Sequence, residues 1–178
     1  MAGPPTYTTA RTVVRPWRVE EADRLLDIRS RGAVVRWLSE PTPWRDVGQA
    51  RDAIRAWSRS TAHAPYLGVW AIVPTATGIP AGSVSLGLLP DDVEVEIGWY
   101  LHPDSQGQGL ATEAARGALA DGFAHGADRI WAIMWPDNET SARVALAIGM
   151  RDLGTLPDRW YGTPEDPDSR MFRIDRVQ

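Results

Sequence analysis

A glycine-containing turn between a strand-like and a helix-like segment constrains the fold of this chain most strongly. The turn is the run Gln106-Gly-Gln-Gly-Leu-Ala-Thr-Glu-Ala114, and it joins the segments 93–101 and 109–124. Glycine lets the backbone pass close to a ligand without a Cβ in the way. The helix that follows begins with unpaired N–H groups and with the positive end of its dipole. The pattern therefore predicts a turn that binds a pyrophosphate.

Hydrophobic periodicity predicts a single domain over residues 1–178, with a mixed central sheet flanked by helices. This is an α/β (α+β) fold. The predicted strands are 12–15, 66–73, 81–89, 93–101, 129–135, 150–155 and 169–175. The predicted helices are 20–29, 34–38, 47–58, 109–124 and 138–148, and segment 156–168 is predicted to be a loop.

Composition excludes several classes of chemistry. The chain has no cysteine, which rules out disulfides and a cysteine-bound intermediate. All 19 basic residues are arginine, which rules out a Schiff base and a Walker-type phosphate loop. The formal charge is −4 and the arginines are scattered, so no nucleic-acid partner is indicated. The histidines have no metal-ligand spacing, and no apolar run or leader pattern points to a membrane or to export. We therefore expect a cytoplasmic protein without a metal.

The strand 93–101 carries a candidate general base. A period of two places Glu94, Glu96 and Gly98 on one face. A glutamate buried in mid-sheet has a raised pKa, which suits proton abstraction. For Glu96 a structural hydrogen-bonding role is the alternative. Gly98 indicates either a bulge or the close approach of a ligand.

The start of helix 138–148 offers polar groups to a ligand. Asn138 and Ser141 are three residues apart, so they share one helix face at its open end. An amide and a hydroxyl placed there could bind a ligand's amide and its reactive group. A helix N-cap is the alternative role for Asn138. Arg143 could meet a phosphate, and a solvated side chain is its alternative.

Together these motifs resemble the GCN5-related N-acetyltransferase (GNAT) superfamily, in particular the branch of the ribosomal-protein alanine acetyltransferases (RimJ/RimL type). The resemblance is carried by Glu96-Ile-Gly-Trp-Tyr-Leu-His-Pro-Asp, the glycine turn, Asn138-Glu-Thr-Ser141 and Ile148-Gly-Met150. It implies about seven strands with splayed central strands, acetyl-CoA as co-substrate, and direct acetyl transfer to a primary amine. It implies coenzyme binding by Trp99, Tyr100, Leu101, Gln106, Gly107, Gln108, Gly109, Leu110, Ala111, Asn138 and Ser141. Of these, Ser141 would lie near the thiol sulfur, and Glu96 matches a frequent acidic position. Thr112, at the end of the turn, and Arg143 are added as candidate coenzyme-binding residues.

One departure from the family pattern leaves the general acid open. Many members carry a tyrosine four residues before the glycine that ends the last helix, and this chain has Ala145 there. The catalytic acid is then Ser141, Tyr161, a water molecule or none. Ala145 also favours the alternative of a non-catalytic acyl-CoA-binding or sensing module. A dinucleotide-binding protein is disfavoured, because Thr112 stands where its third glycine is needed.

The acceptor amine is not encoded in a readable motif. A protein N-terminus and a small-molecule amine both fit the implied chemistry. Segments 32–46 and 156–168 are expected to select the acceptor, with Trp37, Trp44, Trp160 and Tyr161 as candidate walls of its site and Trp57 expected in the core. A homodimer is compatible with the sequence and is not indicated by it.

Overall fold

The computed structural model describes residues 7–63 and 66–176, apart from the side chains of residues 60–63. The strands are β1 (Tyr7–Thr8), β2 (Thr12–Pro16), β3 (Gly68–Pro74), β4 (Gly82–Leu88), β5 (Val95–Leu101), β6 (Arg129–Met134), β7 (Arg151–Pro157) and β8 (Asp168–Asp175). The α-helices are α1 (Ala22–Arg29), α2 (Gly32–Val35), α3 (Val47–His63), α4 (Leu110–Ala124) and α5 (Glu139–Ala147). Short 3₁₀ turns lie at Val19–Glu21 and Pro103–Ser105.

The strands form one mixed sheet in the order β1-β2-β3-β4-β5-β6-β8-β7. Among the described strands, β5 and β6 are the one pair that runs parallel, and all other neighbours are antiparallel. Their pairing consists of Val95 with Ile130 and Glu96 with Trp131, and it ends there. On its other edge β5 stays paired with β4 as far as Leu101. The two central strands therefore splay apart beyond Glu96, as the resemblance implied.

Helices cover both faces of the sheet. Residues 70 and 72 of β3 pack into the core cluster that contains α4 and α5, whereas residues 71 and 73 pack against α1 and α3. On α4 the apolar residues form one stripe that faces the sheet: Ala111, Ala115 and Leu119 are buried, and Phe123 packs against the same cluster. Small residues let α4 lie close to the strands. A Cβ on Gly122 would stand only 2.9 Å from Ile130 Cδ1.

The loop between β1 and β2 ties the edge of the sheet to the start of α4. Arg11 donates from its backbone N–H and from Nε to the Glu113 carboxylate, at 2.7 and 2.9 Å. Its Nη1 also donates to the carbonyl oxygen of Gln108 at 2.9 Å. Thr9 donates from its hydroxyl to the same carboxylate. These bonds fix the glycine turn from outside.

Several sequence expectations need correction. The described residues form an eight-stranded sheet, one strand more than the seven predicted segments, because residues 7–8 pair with β2. The predicted loop 156–168 is shorter at both ends, since β7 runs to Pro157 and β8 begins at Asp168. The bulge alternative at Gly98 is wrong, because the register between β4 and β5 is continuous through Gly98 opposite Ser85.

None of the described helices is long and apolar enough to span a membrane.

Candidate active site

The splay of the central strands opens a crevice of about 1300 Å³. Its floor is the unpaired part of β5 and β6, and the starts of α4 and α5 lie along it. Further walls come from residues 33–34 of α2, from residues 36–39 that follow α2, and from the loop 158–167 between β7 and β8. The predicted site residues that line it are Glu96, Trp99, Tyr100, Leu101, Gln106, Gly107, Gly109, Ala111, Thr112, Asn138, Ser141, Arg143 and Tyr161.

The glycine turn presents bare backbone to this crevice. Gly107 and Gly109 adopt φ angles of +74° and +76°, a left-handed conformation that side chains disfavour. Among the described residues, no backbone carbonyl accepts from the N–H groups of residues 107–112. These N–H groups begin α4, where the helix dipole is positive. A diphosphate fits such a cradle by charge and by hydrogen bonding.

Three side chains stabilise the turn from within. Gln106 Nε2 donates to the carbonyl of Leu101 at 3.1 Å, and Gln108 Nε2 donates to the carbonyl of Asp104 at 3.2 Å. Leu110 is 4 % exposed and packs in the core. Gln108 and Leu110 do not line the crevice. Any coenzyme contact from these two residues would come from their backbone N–H groups.

The free edge of β5 forms one side of the crevice. Residues 99–101 pair with β4 on one edge and have no β6 partner on the other. The backbone polar groups on that open edge need partners. An extended, amide-containing arm could satisfy them in the manner of an added strand.

The start of α5 faces the same space. Asn138 is the N-cap, because its Oδ1 accepts from the Ser141 N–H at 3.2 Å. The N-cap role predicted as an alternative is thus confirmed. The Asn138 side chain also lines the crevice, and the N-cap bond uses only its oxygen. Ser141 is partly buried beside it. Arg143 is exposed, and its guanidinium reaches Thr140 Oγ1 at 3.4 Å.

Glu96 and Tyr161 meet at the point where the strands part. The Tyr161 hydroxyl donates to Glu96 Oε2 at 2.7 Å. Burial raises the pKa of Glu96 from 4.5 to about 7, although hydrogen bonds from Tyr161 and from the Ile133 backbone oppose the rise. Burial and the neighbouring Glu96 also raise the pKa of the Tyr161 phenol, so this group keeps its proton at neutral pH. Glu96 therefore has the pKa of a general base for neutral pH.

Asp158 is a residue of this site that the sequence did not reveal. It lines the crevice although it is only 7 % exposed. Its Oδ1 accepts from the backbone N–H groups of Trp160 at 2.9 Å and Tyr161 at 3.1 Å. Its charge contributes to the raised pKa of both Glu96 and Tyr161. In the sequence it is one of several acidic residues in a loop without periodicity.

The loop that carries Tyr161 is anchored to the turn before β5. Trp160 Nε1 donates to Asp91 Oδ2 at 2.7 Å. The same indole packs edge-on against Trp131, with ring centroids 5.2 Å apart. Trp131 Nε1 in turn donates to Glu94 Oε2 at 3.1 Å. Glu94, which shares the predicted face with Glu96, is thus a structural partner of β6.

The aromatic walls differ in part from the prediction. Trp37 and Tyr161 line the crevice as expected. Trp44 does not, because it packs with the α1–α3 cluster and lies under the Arg29 guanidinium at 4.5 Å. Trp160 is likewise occupied by its packing on Trp131. Trp57, expected in the core, is only partly buried and lines the crevice.

Ala145 leaves the usual acid position without a functional group. It is fully buried in the core cluster and does not line the crevice. The two side chains predicted as alternative acids, Ser141 on α5 and Tyr161 on the β7–β8 loop, both line the crevice. Tyr161 is already bonded to Glu96.

Comparison with known proteins places this architecture in a family. Residues 11–151 match the family model described as Acetyltransferase (GNAT) domain. This match covers most of the chain, from the loop before β2 to the start of β7. The chain belongs to the GNAT acetyltransferase family.

Individual relatives agree with this assignment. Over 74 residues the chain is 38 % identical to the uncharacterized N-acetyltransferase YoaA of Bacillus subtilis, which is 40 % of this chain and 42 % of that protein. Over 60 residues it is 45 % identical to YnaD of the same organism, 33 % of this chain and 35 % of that protein. The chain thus matches less than half the length of either curated relative.

Solved structures share the fold along nearly the whole chain. A GNAT-family acetyltransferase from Bacillus anthracis superposes with a TM-score of 0.81 at 22 % identity, covering 96 % of this chain and 98 % of that one. The ribosomal L7/L12 α-N-protein acetyltransferase RimL, in complex with coenzyme A, superposes with a TM-score of 0.80 at 17 % identity and the same coverage. At these identities the likeness concerns the fold.

Proposed function

We propose that this protein transfers the acetyl group of acetyl-CoA directly to a primary amine. The observation that carries the proposal is the separation of β5 from β6, which begins beyond Glu96. The crevice that it opens contains both Glu96 and the bare N–H groups of residues 107–112. The coenzyme diphosphate would lie on those N–H groups, and its amide arm would run along residues 99–101. The CoA-bound RimL relative has this fold.

Glu96 acts as the general base in this proposal. An alkylamine is protonated at neutral pH and attacks a thioester only after it loses a proton. With a pKa of about 7, the Glu96 carboxylate can take that proton directly or through water. The amine nitrogen then bonds to the thioester carbon, and the carbon–sulfur bond breaks. The proton removed before the attack then resides on Glu96. The second proton of the nitrogen passes to the sulfur, through water or the Ser141 hydroxyl, so CoA leaves as the thiol and the acceptor as the neutral amide.

Two hydroxyls are assigned the remaining roles, which are to orient the base and to stabilise the leaving sulfur. Tyr161 keeps its hydrogen bond to Glu96 and orients this carboxylate. Ser141, next to the N-cap of α5, is assigned to the leaving sulfur, which its hydroxyl would stabilise by donating a hydrogen bond. With Ser141 in this role, the reaction does not need a tyrosine at position 145. Most of the rate acceleration would come from holding the two substrates in line.

The proposal is tested by two measurements on the intact protein. Titration calorimetry with acetyl-CoA should give a one-to-one complex, and a panel of primary amines should release free CoA thiol from that complex. Binding without thiol release from any amine would favour the alternative, a non-catalytic acyl-CoA-binding or sensing module. No binding at millimolar acetyl-CoA would refute both readings.

A further inference from the structure

We infer that the acceptor carries a second positive charge beside the amine that is acetylated, and that an acidic subsite on the β7–β8 loop binds this charge. The subsite consists of Asp158 and Asp166 of this loop and of Asp168, the first residue of β8, and all three line the crevice. The inference rests on the proposed acetyl transfer, because the subsite lies in the same crevice as Glu96. It narrows the acceptor to diamine-like molecules or to peptides with a lysine next to the N-terminus.

Asp158 supplies the strongest evidence for a missing cationic partner. Its Oδ1 is occupied by two backbone N–H groups of its own loop. Its Oδ2 is buried and accepts no hydrogen bond from any described residue. A buried carboxylate oxygen without a donor is unfavourable by comparison with a paired one. An ammonium group that enters the crevice at this point would provide the donor.

Asp166 and Asp168 extend this negative charge to the mouth of the crevice. Both are exposed, and neither forms an ion pair with a described residue. The arginine of the same loop is turned away from them. The Arg159 guanidinium lies over the Trp160 ring at 4.2 Å and 3.9 Å from Asp91. The loop therefore presents uncompensated carboxylates to a ligand.

Cationic side chains of the crevice lie on other walls. Arg36 stacks on the Trp37 ring at 4.3 Å, beyond α2. Arg143 lies on α5, beside Thr140. The charge around Glu96 is thus negative on the side of the β7–β8 loop. This arrangement attracts a dication and repels an amine whose neighbouring group is a carboxylate.

The test compares ligands that differ by one ammonium group. The two matched pairs are 1,4-diaminobutane with butylamine, and Ala-Lys amide with Ala-norleucine amide. Affinity for each is measured by calorimetry on the protein alone and on its complex with CoA, and acetylation is measured as thiol release from acetyl-CoA. The first pair identifies a small-molecule acceptor, and the second identifies a peptide acceptor.

A subsite of this kind predicts that the dicationic member of at least one pair binds about fivefold or more tightly than its match. The advantage should shrink at high salt, because the outer carboxylates are exposed. The double substitution Asp166→Asn/Asp168→Asn should remove most of the advantage and leave butylamine unaffected. Asp158→Asn should reduce it further. Asp23→Asn is the matched control, since this exposed aspartate of α1 lies outside the crevice.

Equal affinity for both members of each pair would overturn the inference, even if neutral amines are acetylated rapidly. An advantage that survives the Asp166/Asp168 double substitution at full size would also overturn it. Failure of the proposed acetyl transfer has a different signature. In that case the dication binds with its advantage, but no amine releases thiol.

Discussion

Replacing Glu96 by glutamine tests the proposed base in both kinetics and stability. Glutamine has the same shape and keeps an oxygen that accepts the Tyr161 hydroxyl, so the substitution removes only the titrating group. Turnover at neutral pH should fall by about 10²–10⁴-fold, the usual contribution of a general base. Acetyl-CoA affinity should change little, because the diphosphate would lie on the turn at 107–112. In wild type the rate should rise as the pH passes through about 7, where Glu96 loses its proton.

The effect on stability has a sign that follows from the same pKa. The folded-state pKa of Glu96 is about 7 and its ordinary value is 4.5, so the folded protein holds this proton more tightly than the unfolded chain. Between these two pH values the folded state binds more protons, and stability falls as the pH rises. The shift in pKa from 4.5 to about 7 corresponds to about 3 kcal/mol of folding stability. This value is an upper limit, because part of the Glu96 side chain remains in contact with water. The glutamine variant lacks this loss.

Denaturant unfolding monitored by circular dichroism measures this difference. The free energy of unfolding of Glu96→Gln minus that of wild type should increase from about pH 5 to about pH 8. Glu20→Gln is the matched control, since this glutamate is exposed outside the crevice. Parallel stability profiles for wild type and Glu96→Gln would refute the raised pKa. An unchanged pH–rate profile would remove Glu96 from the chemistry.

Three further substitutions address the neighbours of this carboxylate and the glycine turn. Tyr161→Phe removes a hydrogen bond that lowers the pKa of the base, so the rising limb of the pH–rate profile should move to higher pH; loss of a high-pH limb instead would identify Tyr161 as the acid. Gly107→Val should weaken acetyl-CoA binding in calorimetry by tenfold or more, whereas Gly78→Val, at a similar positive φ on the β3–β4 turn, should lower the melting temperature comparably without that loss. Trp160→Phe frees the loop from its indole hydrogen bond, and the pH–rate profile should shift in the same direction as for Tyr161→Phe but less; an unshifted profile would mean that this bond does not position the loop.

The sequence predicted the elements that have a strong local pattern. The alternation along 93–101 and the helical periodicity of 109–124 correspond closely to β5 and α4, because each pattern reports which face is buried. The position of the turn between them followed from its glycines. The splay of β5 from β6 was implied by the family resemblance alone. It depends on pairing between strands about 35 residues apart, which no local pattern encodes.

The acceptor side of the site was beyond the reach of the sequence. The pairing of β7 with β8 is irregular between Asp152 and Thr155, which interrupts the alternation and hides the last residues of the strand. The prediction therefore assigned them to a long acidic loop. Asp158 differs from the other acids of this loop only by its burial, a property set by packing against distant residues. Packing against distant residues also decides that Trp57 lines the crevice and that Trp44 does not, the reverse of the prediction.

The hydrogen bonds of Arg11 connect the proposed coenzyme site to the first strands of the chain. A guanidinium about 100 residues away in sequence holds the Gln108 carbonyl and the first turn of α4. Substitutions in the loop between β1 and β2 should therefore weaken acetyl-CoA binding, although this loop lies outside the crevice. A mutational scan scored on affinity would group Thr9 and Arg11 with the glycine turn. Distance from the ligand would be a poor guide to which positions this protein tolerates.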